Sequence, residues 1–507
     1  MIGSGAKPRK LVVDSGHGTS LGRVFACCAA LCAAMTVLIA PCRVAAVQKE
    51  RVVFLDNAPG VENGSDRYDP ATRRSGGGTH RVFTRLDEAA AALADADVLY
   101  IRAGTYARES VGTYREVHGN KVNYWTGSLA LSATGTPQKR KRVTAYRGEI
   151  VIIQARAGES QYNPDPADQD FADSSHYYPH PAVSISGAYL DVCGLKTFGQ
   201  VVISGHHVSL QDCDLGGGGP HMNQGQVIAL NGGPREDGAH DVLIRNNRIH
   251  HSCWGEGRGN AAALMCYDAS FIVEHNHFVD NFGDINIKDT GKQAGREIII
   301  RYNFFGPSSI NPRSNFGIHG PNQDREVDRV HIHNNVFLRK PVAISFRMPV
   351  RLASLYAYHN TFVDCGFGNF EVGDVGDWIN TSARLSHNLF YHSEPGQRFY
   401  SLQTDPWDKL QSDHNLFFST AGDTAWWHKY RKCATTLAEW QQYSGKDRHS
   451  VWYDPGLVDP NGSAPADFNR WEANPADVVG PEGDRTCGAY QTGDEVIGVL
   501  PTAPSAN

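Results

Sequence analysis

Four short stretches of this chain set polar or charged side chains beside apolar ones in a two-residue alternation: AALMCYD (262–268), GDINIKDT (283–290), FGIHGPN (316–322) and VAISFRM (342–348). Successive side chains of a strand face opposite ways. With Ile285/Ile287, Phe316/Ile318 and Ile344/Phe346 turned inward, Asn286/Lys288, Gly317/His319 and Ser345/Arg347 turn outward. The same alternation turns Tyr267 outward after Leu264 and Cys266, Asn231 after Ile228 and Leu230, and Glu371 further on. If these strands lie side by side, one outward column reads Asn231, Tyr267, Lys288, His319, Arg347, Glu371, with neighbours about 4.8 Å apart.

Such a column suits removal of a proton from the carbon next to a carboxylate. That proton is weakly acidic until the carboxylate's charge is neutralised. A cation or an Arg neutralises it, and a Lys, His or Tyr within reach takes the proton. The expectation is Lys288 as base, His319 or Tyr267 as proton shuttle, and Arg347 as carboxylate clamp. Asn231, Asn286 and Glu371 would contact substrate, joined by Trp254 and Arg258 of CWGEGRGN. Asp268, Asp284 and Asp289 flank the column and offer oxygen ligands for Ca²⁺. The plainer reading is a solvated face, with Lys288 and Asp284 paired across four positions.

Strands line up in this way only on a repeating scaffold, and one phrase does recur through 242–417. It reads VLIRNNRI, FIVEHNHF, IIIRYNFF, VHIHNNVF, LYAYHNTF, ARLSHNLF and QSDHNLFF: an apolar run of period two, an Asn, any residue, then Ile or Phe. The asparagines are Asn247, Asn276, Asn303, Asn335, Asn360, Asn388 and Asn415, spaced by 29, 27, 32, 25, 28 and 27 residues. A β-patterned repeat of that length marks a solenoid of stacked coils. The asparagines read as scaffold, amide to amide in a tight turn. His275, His359, His387 and His414, just before them, read as solvated turn residues. Each coil adds an earlier strand (AVSISG, QVVISG, QVIALNG and FEVGD among them) and a loop of variable length. Variable loops beside a regular stack are where function sits.

Four regions follow. Residues 1–46 form a leader, apolar over 24–40, read as a signal peptide cleaved after Ala46 or as a retained N-terminal anchor. Residues 47–181 hold an N-terminal helical cap, opened by Thr84 and Asp87 as a capping box, then the first coils and a long polar loop at 158–181. Residues 182–420 are the regular stack, and 421–507 a C-terminal capping tail over its other end. The protein is expected to be secreted, periplasmic or at the cell surface. It is expected as a monomer with no stable membrane partner beyond that anchor.

The 507 residues carry a net charge of −6 and 52 glycines, as a turn-rich β protein would. The leader holds five Lys/Arg against one Asp, so the rest carries −10. A body of that charge argues against nucleic acid as the main partner. It leaves an acidic polysaccharide open where basic residues or a metal gather. Seven cysteines lie outside the leader without CxxC spacing, which reads as small buried residues with room for one bridge, and implies no zinc site.

The repeated N-x-[IF] phrases, with VLYIRAGTY (98–106), RVTAYRGEIVI (142–152) and EWQQYSGKDRHSVWYDP (439–455), resemble the right-handed parallel β-helix proteins of the pectate-lyase-like superfamily over roughly 51–490. The resemblance implies an all-β, single-stranded right-handed parallel β-helix. It also implies an activity drawn from polysaccharide lyases, glycoside hydrolases, uronate epimerases or proteins without known activity. GDINIKD (283–289) and GIHG (317–320) are loosely similar to the acid pair, Lys and Arg-His-Gly of family 6 polysaccharide lyases, with Asn286 at the second acid and Ile318 at the Arg. The adjacent aspartates of polygalacturonase-like hydrolases do not occur in this sequence. The reading is a lyase acting by β-elimination on a uronate-containing polysaccharide. Its rivals are a non-catalytic carbohydrate-binding protein using exposed Trp254, Trp426 and Trp427, and a hydrolase using Glu236 and Asp237.

Overall fold

The structure, a computed structural model, describes residues 50–498 apart from 118–119, 156–180, 218–224, 232–237, 253–261, 289–295, 310–315, 320–325, 341, 346–350, 370–381, 403–408, 423, 430, 470–486 and 491–495. The leader and nearly all of the 158–181 loop therefore lie outside the described residues. Among the described residues, no helix is long and apolar enough to cross a membrane.

Strands of successive coils stack into three long sheets of 13, 12 and 12 strands. One coil gives Val242–Arg245 to the first sheet, Arg248–His250 to the second and Leu264–Tyr267 to the third. The next gives Phe271–Glu274, His277–Val279 and Gly283–Ile287 in the same order, each parallel to its predecessor. Parallel neighbours need a long crossover. Here the other two strands of the coil are that crossover. The exception is the end of the third sheet, where Ala425–His428 and Arg431–Ala434 run antiparallel. The fold is all-β, a three-sheet parallel β-helix.

The alternation of the repeat decides which residues enter the core. In Val242–Arg245 the valine and isoleucine are buried and the residues between them half-buried. From the second phrase on, the aromatic that ends the phrase stacks on the next: Phe278, Phe305, Phe337, Phe362, Phe390 and Phe417 follow at centroid spacings of 4.9, 4.6, 5.1, 4.5 and 5.1 Å.

The asparagines form the expected ladder. The backbone N–H of Asn276 donates to Oδ1 of Asn303 at 3.0 Å, and its Nδ2 donates to the same oxygen at 3.0 Å and to Ile244 O at 2.9 Å. The pattern repeats from Asn247 to Asn388. At the last rung Asn415 has no following asparagine. Its N–H donates to Ser450 Oγ at 2.8 Å and its Nδ2 to Asp447 Oδ1 at 2.9 Å. The residue before each asparagine is left-handed, with φ between 52° and 58° at Asn246, His275, Tyr302, Asn334, His359, His387 and His414. Asn and His enter that region more readily than most residues. Two of these histidines are not the solvated residues expected: His359 and His387 are each 8% exposed and their rings lie 5.1 Å apart, while His275 and His414 are half-buried. Coil stacking puts ring over ring, and that contact excludes water.

Near the N-terminal end, helix Leu86–Ala92 buries Leu86, Ala89 and Ala90 against the core. The expected Thr84–Asp87 capping box is absent: the N-cap is Arg85, without a side-chain bond. The reason is competition. Arg85 holds Asp87 and Glu88 at 3.3 and 3.2 Å, and Asn63 Oδ1 accepts the Thr84 N–H at 2.8 Å. A capping box does form at helix Leu437–Ser444, between Thr436 and Glu439, and this helix places buried Trp440 over Trp426.

The rest of the tail does not stay at that end. Leu457, Phe468, Cys487, Ala489, Tyr490 and Ile497 pack on outward residues of the second sheet. Gly488 N–H donates to His387 O at 2.9 Å and Gly498 N–H to Tyr302 O at 2.8 Å, so the described tail runs back across several coils. Phe304, Val336, Val363 and Leu389 make that sheet's outer face apolar, and an apolar face of such length requires cover.

Candidate functional site on the third sheet

Ile285 and Ile287 enter the core, so Asp284 and Asn286 face the other way. Asn231 lies in register with Tyr267. Lys288 continues that row, because its N–H donates to Cys266 O at 2.9 Å and Cys266 pairs with Ile287. His319 is in register with Asn286, which pairs with Met265 on its other side, and His319 pairs in turn with Ser345. The single column expected from the sequence is therefore two rows: Asn231–Tyr267–Lys288, and Met265–Asn286–His319–Ser345 two residues upstream. A slip of two residues leaves every side chain on its own face, so alternation alone does not choose between these registers.

The solvated-face reading is not met. Asn286 is 0% and Lys288 7% exposed, and Asp284 is fully buried. Asp284 pairs with Lys340 rather than across to Lys288: Lys340 Nζ lies 2.7 Å from Asp284 Oδ2, with both side chains at 0% exposure. Burial pushes the Asp284 carboxyl up to about 6, against the opposing pull of Lys340 and of the Asn281 amide. Asn286 differs from its neighbours. Neither its Oδ1 nor its Nδ2 has a hydrogen-bond partner among the described residues. A buried polar group left unpaired costs about 1–3 kcal/mol. Asn286 thus keeps one acceptor and two donors unpaired and enclosed among the described residues, in the row next to Tyr267 and Lys288.

The calcium expectation rested on Asp268, Asp284 and Asp289. Asp284 is neutralised by Lys340, and Asp289 lies outside the described residues. Asp268 is half-buried in a left-handed turn, φ 51°, where its carbonyl oxygen accepts from Arg296 Nη1 at 3.2 Å. Ca²⁺ takes about six to eight oxygen ligands. The described residues do not assemble that set.

Trp254, Arg258, Arg347 and Glu371 lie outside the described residues, as do Glu236 and Asp237, and of His319 the backbone is described. The third-sheet strand of the Glu371 coil is Phe367–Asn369, just upstream of FEVGD. Trp426 is not an exposed contact residue: it is fully buried in the core. Trp427 carries the Arg398 guanidinium 4.1 Å over its ring. The six described cysteines outside the leader are free thiols. Lys340 was missed. In LRKPVAIS it reads as a loop cation, and only the coil stacking brings it to Asp284.

No known protein family matches this sequence, and no curated protein does. Among solved structures, the chain is similar to pectate lyase Pel9A, with a TM-score of 0.42 and 10% identity over 77% of this chain and 83% of that one. It is similar to a GH136 lacto-N-biosidase from Eubacterium ramulus, with a TM-score of 0.42 and 11% identity over 80% and 67%. A PL6 family polysaccharide lyase from Pseudopedobacter saltans matches with a TM-score of 0.34 and 11% identity over 75% and 93%. At these values the likenesses add nothing to what the three sheets themselves define.

Proposed function

We propose that the protein is a polysaccharide lyase that is exported and acts by β-elimination on a uronate-containing polysaccharide. The observation that carries this reading is Asn286, a fully buried amide without a hydrogen-bond partner among the described residues, beside the Tyr267–Lys288 row. Lys288, as a neutral amine, takes the proton from C5 of the uronate. The electron pair forms the C4–C5 double bond, the C4–O4 bond breaks, and the Tyr267 phenol protonates the departing oxygen. Asn286 donates to the uronate carboxylate as charge builds on it, where a preorganised donor acts most strongly. Arg347 is the further clamp on that carboxylate, and His319, in register with Asn286, is the second proton carrier. The support is this chain's own residue placement, not the likenesses to other lyases.

The test is absorbance of the unsaturated uronate product while the purified protein is offered alginate, pectate and chondroitin, with and without Ca²⁺. The expected result is product on one of them, abolished in Asn286→Leu. No new absorbance on any of the three overturns the proposal.

A further inference from the structure

A cluster of histidines lies away from the third-sheet rows, in the turns that lead into the first sheet. Three successive coils contribute: SGAYL, SGHHV and GAHDV. Leu190 pairs with Val208, and Ser209 with Leu243, so the residues just before these strands align coil by coil. One column is Ala188, His206, His240. The next is Tyr189, His207, Asp241, and all three of these are left-handed, with φ of 52°, 53° and 51°. The turns stack tightly. A Cβ on Gly205 would collide with the carbonyl oxygen of Gly187. Backbone bonds from Tyr189 N–H to His206 O (3.2 Å) and from His207 N–H to His240 O (2.9 Å) fix the spacing.

The rings are placed accordingly. His206 and His240 stack at 4.7 Å with planes 3° apart, and Tyr189 stacks on His207 at 4.4 Å. His206 Nδ1 and His207 Nδ1 lie 2.8 Å apart. Asp241 Oδ2 lies 2.8 Å from His240 Nδ1 and 3.5 Å from His207 Nε2. One ring nitrogen from each of the three histidines falls within 4.8 Å of the others, and all three rings are half-buried. A carboxylate that accepts an N–H from one imidazole nitrogen leaves the other nitrogen as a lone pair, which is how second-shell acids set metal-binding histidines. Here one carboxylate faces two of the three rings.

We propose that His206, His207 and His240 bind a first-row divalent cation of the zinc type, with Asp241 as the orienting carboxylate. Three imidazoles and no thiolate suit Zn²⁺, Co²⁺ or Ni²⁺ rather than a hard, oxygen-seeking ion. Binding releases the proton shared between His206 and His207. Because the ligands come from two adjacent coils, the cation cross-links them, and His240 and Asp241 also line an open groove with Ser270, Arg296 and Glu297. This site is independent of the lyase proposal.

The experiment uses the full-length protein without an affinity tag, stripped by chelator and titrated with Co²⁺ and Zn²⁺. The expected result is one equivalent of Co²⁺ with visible bands of histidine coordination, displaced by Zn²⁺, and a thermal midpoint that rises with Zn²⁺. His206→Ala and His240→Ala should each lose the bands and the Zn²⁺-dependent rise while keeping the metal-free midpoint. Asp241→Asn should weaken binding by about 10–100-fold. His449→Ala is the control, because Asp413, His414 and His449 form the other such cluster among the described residues. The proposal is overturned if the wild-type protein takes up no stoichiometric metal, if His206→Ala binds as tightly, or if His449→Ala abolishes uptake. Should an alanine variant unfold, Asp241→Asn decides alone: unchanged affinity there also overturns it.

Discussion

Lys340 reaches Asp284 across an intervening coil, its ammonium 2.7 Å from the carboxylate, and neither side chain is exposed to water. Between them in the third sheet lies Phe316–His319, where Asp284 falls opposite Gly317. The pair sits directly upstream of Asn286, so whatever holds it also holds the proposed substrate contact.

Removing one partner leaves a buried charge. Lys340→Met or Asp284→Leu alone should destabilise by about 3–5 kcal/mol, while the double variant should come close to the parent or exceed it. Urea unfolding at neutral pH checks this. If the double variant is no better than the singles, the two groups are not coupled.

The same pair predicts a pH slope. The Asp284 carboxyl is raised from 3.8 to about 6, with burial as the largest cause, so between those values the folded protein holds a proton that the unfolded chain has released. This group's contribution to stability is therefore greatest below that window and declines as pH rises through it. Comparing unfolding free energies across the window in the parent and in the Asp284→Leu/Lys340→Met variant isolates the effect. The variant's curve should climb more steeply with pH.

Lys288→Ala should lower kcat/KM on the preferred uronate polymer by ~10²–10⁴-fold, the range for loss of a positioned proton acceptor. Tyr267→Phe should slow the same step without altering the unfolding midpoint. Product formation and thermal unfolding are measured on the same preparations. A Lys288→Ala protein that keeps parental activity removes Lys288 as base.

Asn286→Leu should part stability from activity. Replacing an unpaired buried amide by an apolar side chain of similar size should stabilise by about 1–3 kcal/mol, while product formation disappears. Loss of stability instead would mean that the amide is satisfied within the folded protein.

Asn335→Ala tests the ladder. Its Nδ2 donates to Ile300 O, His333 O and Asn360 Oδ1, and its Oδ1 accepts from Asn303. All of these bonds but the one to the His333 carbonyl are buried, so the loss should exceed about 3 kcal/mol, more than a single cavity of that size. Urea unfolding reads it directly.

The scaffold was legible because its cause is periodic. Asn276, Asn303 and their equivalents recur with an apolar run before them and an aromatic after, and both the ladder and the Phe278–Phe417 stack follow from that recurrence. The site was less so. Alternation told which side of the sheet Asn286 and Lys288 face, but not that the backbone of His319 is in register with Asn286 rather than with Lys288. Lys340 and Asp284 meet only through stacking of coils with unequal loops, which no local pattern encodes. The capping boxes make the same point: Thr84 and Thr436 both have an acid three residues on, and the difference lies in whether a neighbouring Arg claims it first. The burial of His359 and His387 was not legible because one coil, viewed alone, does expose them.

The ladder also has a direction. From asparagine to asparagine, every rung donates toward the C-terminal neighbour and accepts from the N-terminal one, so its beginning is served by an ordinary backbone group, the Cys213 N–H on Asn247 Oδ1. Its end requires a dedicated acceptor, and Asp447, itself held by Trp440 Nε1 and Ser450 Oγ, is that acceptor. A coil is therefore an interchangeable unit and the terminator is not. Duplicating or excising one repeat between Asn276 and Asn388 would keep the hydrogen-bond pattern of each rung, with the Asp447 segment moving with the final one. It would also shift the tail contacts at Tyr302 and His387, so the tail as well as the terminator ties the stack to its number of coils.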